Sequence, residues 1–161
     1  MISVGCEAAT EATGAVPRPS QGEKLTKSKP YVWVPGGQPA TIQQHSVTKH
    51  QVLRSYLVAY LQTLAPMPNQ DEIRVTLVDG YAGGGVYTHE ATGEVKLGSP
   101  FQFLEATAEA EVLLNAQRTK PLAMNIDYFF VEEQAASAAY LRQALIERGY
   151  GGRLDQDIRV L

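Results

Sequence analysis

Asp79 stands directly before a glycine-rich loop, and together they could hold a charged ligand. Residues 73–85 read IRVTLVDGYAGGG, a run of aliphatic residues that ends in the aspartate and the loop. Glycine frees the backbone for positive φ and for the close approach of a ligand. A strand, an acidic residue and a glycine loop in this order are typical of a nucleotide or nucleoside site at the carboxyl edge of a parallel sheet. The glycines of the loop are Gly80, Gly83, Gly84 and Gly85.

The surroundings of the loop indicate which kind of ligand it would bind. In a dinucleotide site a helix starts directly after the glycines and its N-terminus holds the pyrophosphate. Here the polar segment 86–97 delays the next predicted helix, and Asp79 would repel a phosphate and attract a cation. S-adenosylmethionine carries both a sulfonium and an ammonium. The loop is therefore predicted to bind this cofactor rather than a nicotinamide dinucleotide.

Glu132 is the second candidate group, because it follows the predicted strand 126–131 (IDYFFV). A carboxylate at the end of a neighbouring strand can accept hydrogen bonds from both hydroxyls of a ribose. The alternative is a carboxylate that stabilises the N-terminus of the next helix through the helix dipole. Glu133 suits that helix role better, and we assign the ribose to Glu132.

Helices and strands alternate along the rest of the chain. Apolar residues at three- and four-residue spacing predict a helix from His45 onward. A second helix is predicted over 101–118, with Ser99 as its N-cap and Pro100 in its first turn. A third helix is predicted over 135–148, and a third strand begins at Asp157. We expect the second helix to turn four residues towards the sheet, which are Phe101, Leu104, Ala108 and Val112.

This alternation predicts βαβ units and hence a parallel sheet with helices on both faces. The strand 73–78 should be buried, including Val78, while segment 86–97 should be an exposed excursion that contains a short hairpin with its turn at Gly93. Three strands leave an incomplete sheet. We therefore expect residues 41–161 to form the N-terminal half of a larger α/β domain.

Composition bounds the class of protein. The chain has 161 residues and a formal net charge of -3, so it has no overall basic signature for nucleic acid. The single cysteine, Cys6, excludes an internal disulfide framework and a cysteine-rich metal site. We find no apolar run of membrane-spanning length and no signal peptide, and expect a cytoplasmic protein. Residues 1–40 are predicted to be a flexible tail, in which residues 31–34 could pin the tail to the domain as an edge strand.

The histidines carry no recognisable metal-ligand spacing. His45 and His50 are five residues apart, not the four that would share a helical face, and His89 lies alone in a predicted loop. We expect structural or solvated roles for all three. Lys49, His50 and Arg54 could form a polar rim at the start of the first helix, but a solvated helix start is the simpler interpretation.

Four segments together resemble the three-Cys-motif partner family (TcmP) over about residues 45–161. They are HSVTKHQVLRSYL before the strand, VDGYAGGGVY at the loop, GSP before the second helix and FFVEE at the second strand. The resemblance implies a class I, Rossmann-like methyltransferase fold, related in its first motif to DNA amino-methyltransferases. It also implies a partner protein with three cysteines.

Carried over by position, the resemblance assigns a cofactor loop and a ribose carboxylate, Glu132. Tyr87 and the tripeptide Gly98-Ser99-Pro100 match recurrent family positions without an assigned role. The Asp/Asn-Pro-Pro-aromatic turn of amino-methyltransferases is not found, and we expect it beyond Leu161. The cofactor loop would comprise Asp79, Gly80, Tyr81, Ala82, Gly83 and Gly85.

Two functions remain open from the sequence. The first is the cofactor-binding half of an S-adenosylmethionine-dependent methyltransferase that acts on nucleic acid. The second is a non-catalytic Rossmann-like subunit that serves a three-Cys-motif partner protein. A nicotinamide oxidoreductase is disfavoured by Asp79 and by the delayed helix.

Overall fold

The computed structural model describes residues 31–65, 67, 69–116 and 118–161, which form three α-helices and two three-stranded sheets. This confirms the α/β class. The helices are α1 (Gln44–Thr63), α2 (Ser99–Asn115) and α3 (Ala135–Glu147). The strands are β1 (Ala40–Ile42), β2 (Glu72–Asp79), β3 (Val86–His89), β4 (Val95–Leu97), β5 (Ala123–Phe130) and β6 (Ile158–Val160).

The sheet with the two longest strands, called the larger sheet, has the order β2-β5-β6, and all its strands run parallel. Asp79, the last residue of β2, pairs in register with Phe130 of β5, and Phe130 pairs with Val160 of β6. The carboxyl ends of the three strands therefore meet at one edge of the sheet. The loops that follow β2 and β5 both emerge at that edge.

The smaller sheet has the order β1-β3-β4. Strands β3 and β4 pair antiparallel across a turn in which Gly93 has a φ of 70°, so the predicted hairpin is confirmed. The expectation that this whole excursion is exposed was wrong, because Tyr87 and His89 are buried. His89 lies in β3 rather than in a loop, and its ring Nε2 lies 3.1 Å from the side-chain oxygen of Gln44.

The main core lies on one face of the larger sheet. Side chains alternate between the two faces of a strand, and the helix-facing set includes Leu77 of β2 and Phe130 of β5, both buried with residues of all three helices. The side chains on the opposite face of the sheet are not covered by these helices, and Val78 on that face is 60% exposed. Among the described residues, helices therefore cover one face of this sheet, and not both faces as was predicted. The sequence of β2 fits this arrangement, because apolar and polar side chains largely alternate along it, as is typical of a sheet with one covered face.

Helix α2 is rotated relative to its predicted orientation. It begins at Ser99 with Gly98 as its N-cap, so Ser99 is not the cap. Phe101 and Leu104 are buried as expected, whereas Ala108 and Val112 are exposed. The helix packs against α1 as well as against the sheet, and this second contact moves the buried stripe to include Ala106, Thr107 and Ala110.

The segment from residue 31 to β1 packs against the domain at Trp33. This indole is 4% exposed, and its Nε1 donates a hydrogen bond to the carbonyl of Val86 at 2.8 Å. It shares a small core cluster with Ile42, Val47 and Tyr87. The predicted tail therefore holds at least one anchoring residue, which contacts the domain without forming the expected edge strand. The prediction for residues 1–30 lies outside the described residues.

The one-sided core predicts losses of stability of different size for two neighbouring residues of β2. Leu77→Ala removes a buried side chain and should lower the free energy of unfolding by about 2–5 kcal/mol. Val78→Ala changes an exposed position and should lower it by less than about 1 kcal/mol. Urea unfolding of both variants measures the difference, and equal losses would contradict a core confined to one face.

Candidate functional site

The loop after β2 is bonded directly to the end of β5. The Val131 N–H donates to the carbonyl of Asp79 at 2.8 Å, and the Ala82 N–H donates to the carbonyl of Val131 at 3.1 Å. Within the loop, the Tyr81 N–H donates to Oδ1 of Asp79 at 3.0 Å. These bonds fix the backbone of the loop at the carboxyl edge of the sheet. The Tyr81 side chain remains 94% exposed at this edge.

Glu132 meets the glycine loop, so the two groups predicted to act together are adjacent. Its Oε2 accepts the Gly83 N–H at 2.9 Å, and its Oε1 accepts the Gln134 N–H at 2.9 Å. Gln134 is the N-cap residue of α3. Glu132 therefore joins the loop to the start of α3, and it makes the helix-terminus contact that the sequence assigned to Glu133.

The glycines of the loop are required by packing inside the protein. A Cβ at Gly84 would lie 2.4 Å from the Trp33 ring, and one at Gly85 would lie 2.6 Å from Leu141. Gly85 also has a φ of 73°, which a residue with a side chain rarely adopts. By contrast, a Cβ at Gly80 would meet nothing within 4 Å. The close approach that the sequence suggested for a ligand is made at Gly84 by an indole ring.

A cavity of about 680 Å³ opens beside the loop, within the usual size range of small-molecule sites. Gly80, Tyr81 and Gly83 form its loop side, and the segment 131–134, which precedes α3, also lines it. Of the predicted site residues, the structure brings Glu132 and these three to the cavity, whereas Asp79, Ala82 and Gly85 are not among its lining residues. The remaining lining residues are Tyr31, Trp33, Tyr87, Val131, Glu133, Gln134 and Leu161.

The side chains that line the cavity make it electronegative. They include the carboxylates of Glu132 and Glu133, and among the described residues they include no lysine or arginine. Burial raises the pKa of the Tyr87 hydroxyl, and the nearby Tyr31, Asp79 and Glu132 raise it further. The phenol is therefore neutral at ordinary pH and surrounded by negative charge. This environment favours a cationic ligand and disfavours a phosphate.

His50 lies beside Tyr87 and near Asp79, a position that the sequence did not predict. Its Nδ1 is buried without a partner within the described protein, as is Oδ2 of Asp79. The His50 and Tyr87 ring centres are 6.0 Å apart. Burial lowers the pKa of His50, while the charge of Asp79 and the carbonyl of Leu97 oppose the shift. His50 is thus a half-buried, neutral neighbour of Asp79 rather than part of a solvated rim.

Gly98 and Tyr87 acquire structural roles that the sequence could not assign. The Gly98 N–H donates to the carbonyl of Gly85 at 2.8 Å, and a Cβ at Gly98 would lie 2.7 Å from the Tyr87 ring. Gly98 therefore lets the start of α2 approach both the loop and Tyr87.

The sequence did not predict that Trp33 contacts the glycine loop, because 51 positions separate Trp33 from Gly84 (84 minus 33). The one available signal was that Trp33 is the single tryptophan of the chain.

Comparison with known proteins gives no independent assignment. The sequence matches no model of a protein family, and it matches no curated protein. Among the described residues, no cluster of three or more histidine, cysteine, aspartate or glutamate side chains could hold a metal ion. In the same part of the chain, no helix combines the length and the apolar character that crossing a membrane requires.

The packing of the loop predicts the effect of adding one methyl group. Gly84→Ala places a Cβ against the Trp33 ring, so the ring must shift, and the free energy of unfolding should fall by about 1–3 kcal/mol. Gly80→Ala is the matched control, since its Cβ enters open space, and should change stability by less than about 1 kcal/mol. Thermal and urea unfolding measure both. A neutral Gly84→Ala variant would contradict the Trp33 contact.

The burial of His50 predicts a pH-dependent contribution to stability. Its pKa in the native state lies below the unfolded value of about 6.5. At a pH between these two values, the native state therefore binds fewer protons than the unfolded state does. The contribution of His50 is complete above about pH 6.5 and is lost as the pH falls through the native pKa. The stability advantage of the wild type over His50→Gln should therefore shrink between about pH 7.5 and pH 5.5, by at most about 1.4 kcal/mol per pH unit. An advantage that urea unfolding finds constant over this range would contradict the burial.

Proposed function

We propose that this chain binds S-adenosylmethionine in the cavity beside the loop, as the cofactor-holding part of a Rossmann-like methyltransferase. One observation carries the proposal. An acidic loop at the end of one parallel strand is hydrogen-bonded to a carboxylate at the end of the next strand, beside a cavity whose described lining residues include no lysine or arginine. In parallel sheets, ligands bind outside the carboxyl ends of the strands.

Glu132 retains hydrogen-bonding capacity for a ribose. Each carboxylate oxygen can accept two hydrogen bonds, and in the structure each accepts one backbone N–H. The two ribose hydroxyls of an adenosyl group could therefore bind Glu132 without breaking its contacts to Gly83 and Gln134. The loop would then be held in the same conformation with and without the ligand.

The charge of the site favours a sulfonium cofactor over a dinucleotide. Asp79 has one buried oxygen without a partner within the described protein, and Glu132 and Glu133 line the cavity. A pyrophosphate would meet these carboxylates, and the described lining residues hold no cationic side chain to neutralise it. The ammonium and sulfonium of S-adenosylmethionine would be attracted by the same groups.

Methyl transfer asks little acid–base chemistry of the protein, because the sulfonium carries its own leaving group. The main task of the binding site is to hold the methyl group in line with its acceptor. We assign no catalytic residue within the described chain. A nucleic-acid acceptor and a three-Cys-motif partner protein remain proposals that rest on the family resemblance.

A second candidate is a non-catalytic subunit that keeps the fold and binds a partner. It is favoured by the open face of the larger sheet, where Val78 is 60% exposed, because parallel sheets are normally covered on both faces. It is also consistent with the glycine loop, since packing alone accounts for Gly84 and Gly85. Ligand binding separates the two candidates.

The proposed function predicts saturable binding of S-adenosylmethionine at sub-millimolar concentration, measured by isothermal titration calorimetry on the full chain. Asp79→Asn removes a negative charge near the cavity but keeps the shape, and the lost Coulomb attraction to the cationic cofactor should weaken binding by about two- to thirtyfold. Glu90→Gln changes an exposed carboxylate away from the cavity and is the matched control.

The same titration with a nicotinamide dinucleotide should give no binding. If the folded wild type binds no S-adenosylmethionine at millimolar ligand, the cofactor function is overturned and the partner-binding subunit is favoured. If Asp79→Asn and Glu90→Gln bind equally well, the ligand does not use the loop.

A further inference from the structure

Three aromatic side chains form one wall of the cavity. The ring centres of Trp33 and Tyr87 are 5.1 Å apart at an interplanar angle of 77°, and those of Tyr31 and Tyr87 are 5.5 Å apart at 81°. The Tyr31 and Trp33 centres are 5.7 Å apart. All three rings line the cavity, and two of them come from the segment that precedes β1. Trp33 and Tyr87 also pack against the glycine loop, at Gly83.

Carboxylates stand around the aromatic wall. Glu132 and Glu133 line the same cavity, and Asp79 and Glu132 are close enough to Tyr87 to act on its hydroxyl. The partially negative faces of aromatic rings attract cations, and the attraction grows where water is excluded. Rings and carboxylates thus contribute the same sign of potential, and no lysine or arginine lies among the described lining residues to offset it.

We propose that Tyr31, Trp33 and Tyr87, with Glu132 and Glu133, recognise the positive charge of an onium group, a sulfonium or a quaternary ammonium. This inference rests on the proposed function in placing the ligand in the same cavity, and it goes further by naming charge as the property selected. The site then distinguishes S-adenosylmethionine from S-adenosylhomocysteine, which has the same adenosyl and amino-acid groups but a neutral thioether.

Tyr31 is the member of the wall that can be changed with the least effect on the fold. Its side chain is 42% exposed, whereas Trp33 is 4% exposed and supports Gly84. Tyr31→Leu removes the ring and keeps an apolar side chain, and Tyr31→Phe keeps the ring. Tyr60→Leu is the matched control, because Tyr60 is 41% exposed and lies on α1, outside the cavity lining.

The test compares the affinities of the full-length variants for S-adenosylmethionine and S-adenosylhomocysteine by calorimetry. The wild type should prefer the sulfonium by about three- to thirtyfold, the range expected of cation–π recognition. Tyr31→Leu should lower this ratio by at least about threefold, while Tyr31→Phe and Tyr60→Leu should keep it. Equal affinity of the wild type for both ligands, or a ratio that Tyr31→Leu leaves unchanged, would overturn the inference and leave the proposed function standing.

Tetramethylammonium chloride separates a failure of the inference from a failure of the proposed function. Trp33 is the only tryptophan, so its fluorescence reports on this cavity alone. Saturable quenching that Tyr31→Leu weakens, with sodium chloride as the ionic-strength control, would support onium recognition even if neither adenosyl ligand binds and the proposed function falls. If neither adenosyl ligand nor tetramethylammonium binds, both proposals are overturned.

Discussion

The contact between Glu132 and the backbone of Gly83 is the interaction on which the candidate site depends. It joins two loops that follow neighbouring parallel strands, at a distance of 2.9 Å. The bonds of Val131 to Asp79 and Ala82 add a second connection between the same loops. A carboxylate bonded to backbone N–H groups makes charge-assisted hydrogen bonds, which are stronger than neutral ones. The site is therefore assembled before any ligand arrives, and binding would cost little reorganisation.

The second constraint is the position of Trp33. Its indole lies on Gly84, and its Nε1 is bonded to Val86, the first residue of β3. One side chain from the N-terminal segment thus packs against the carboxyl end of the glycine-rich turn and also forms part of the cavity wall. Packing alone accounts for the glycines at positions 84 and 85, which explains why the motif alone says little about a ligand. The charge of the surrounding side chains is more informative.

Much of the fold could be predicted from the sequence, because strand and helix periods are local properties. The alternation of β2, α2, β5, α3 and β6 and the hairpin turn at Gly93 were predicted correctly. The outward orientations of Val78 and Val112 were not, since they depend on which faces neighbouring elements cover. The proximity of Glu132 to the loop followed from strand order, whereas the contacts of Trp33 and His50 arise from tertiary packing over long sequence separations and carry no local signal.

A crystal structure of the full chain grown with saturating S-adenosylmethionine tests the central claim most directly. The ligand should occupy the cavity of about 680 Å³, with its ribose hydroxyls within hydrogen-bonding distance of Glu132 and its sulfonium beside the aromatic wall. The bond between Glu132 and Gly83 should remain. Ligand bound elsewhere on the chain, or a cavity that holds only solvent at saturating ligand, would contradict the assignment of this edge of the sheet as the cofactor site.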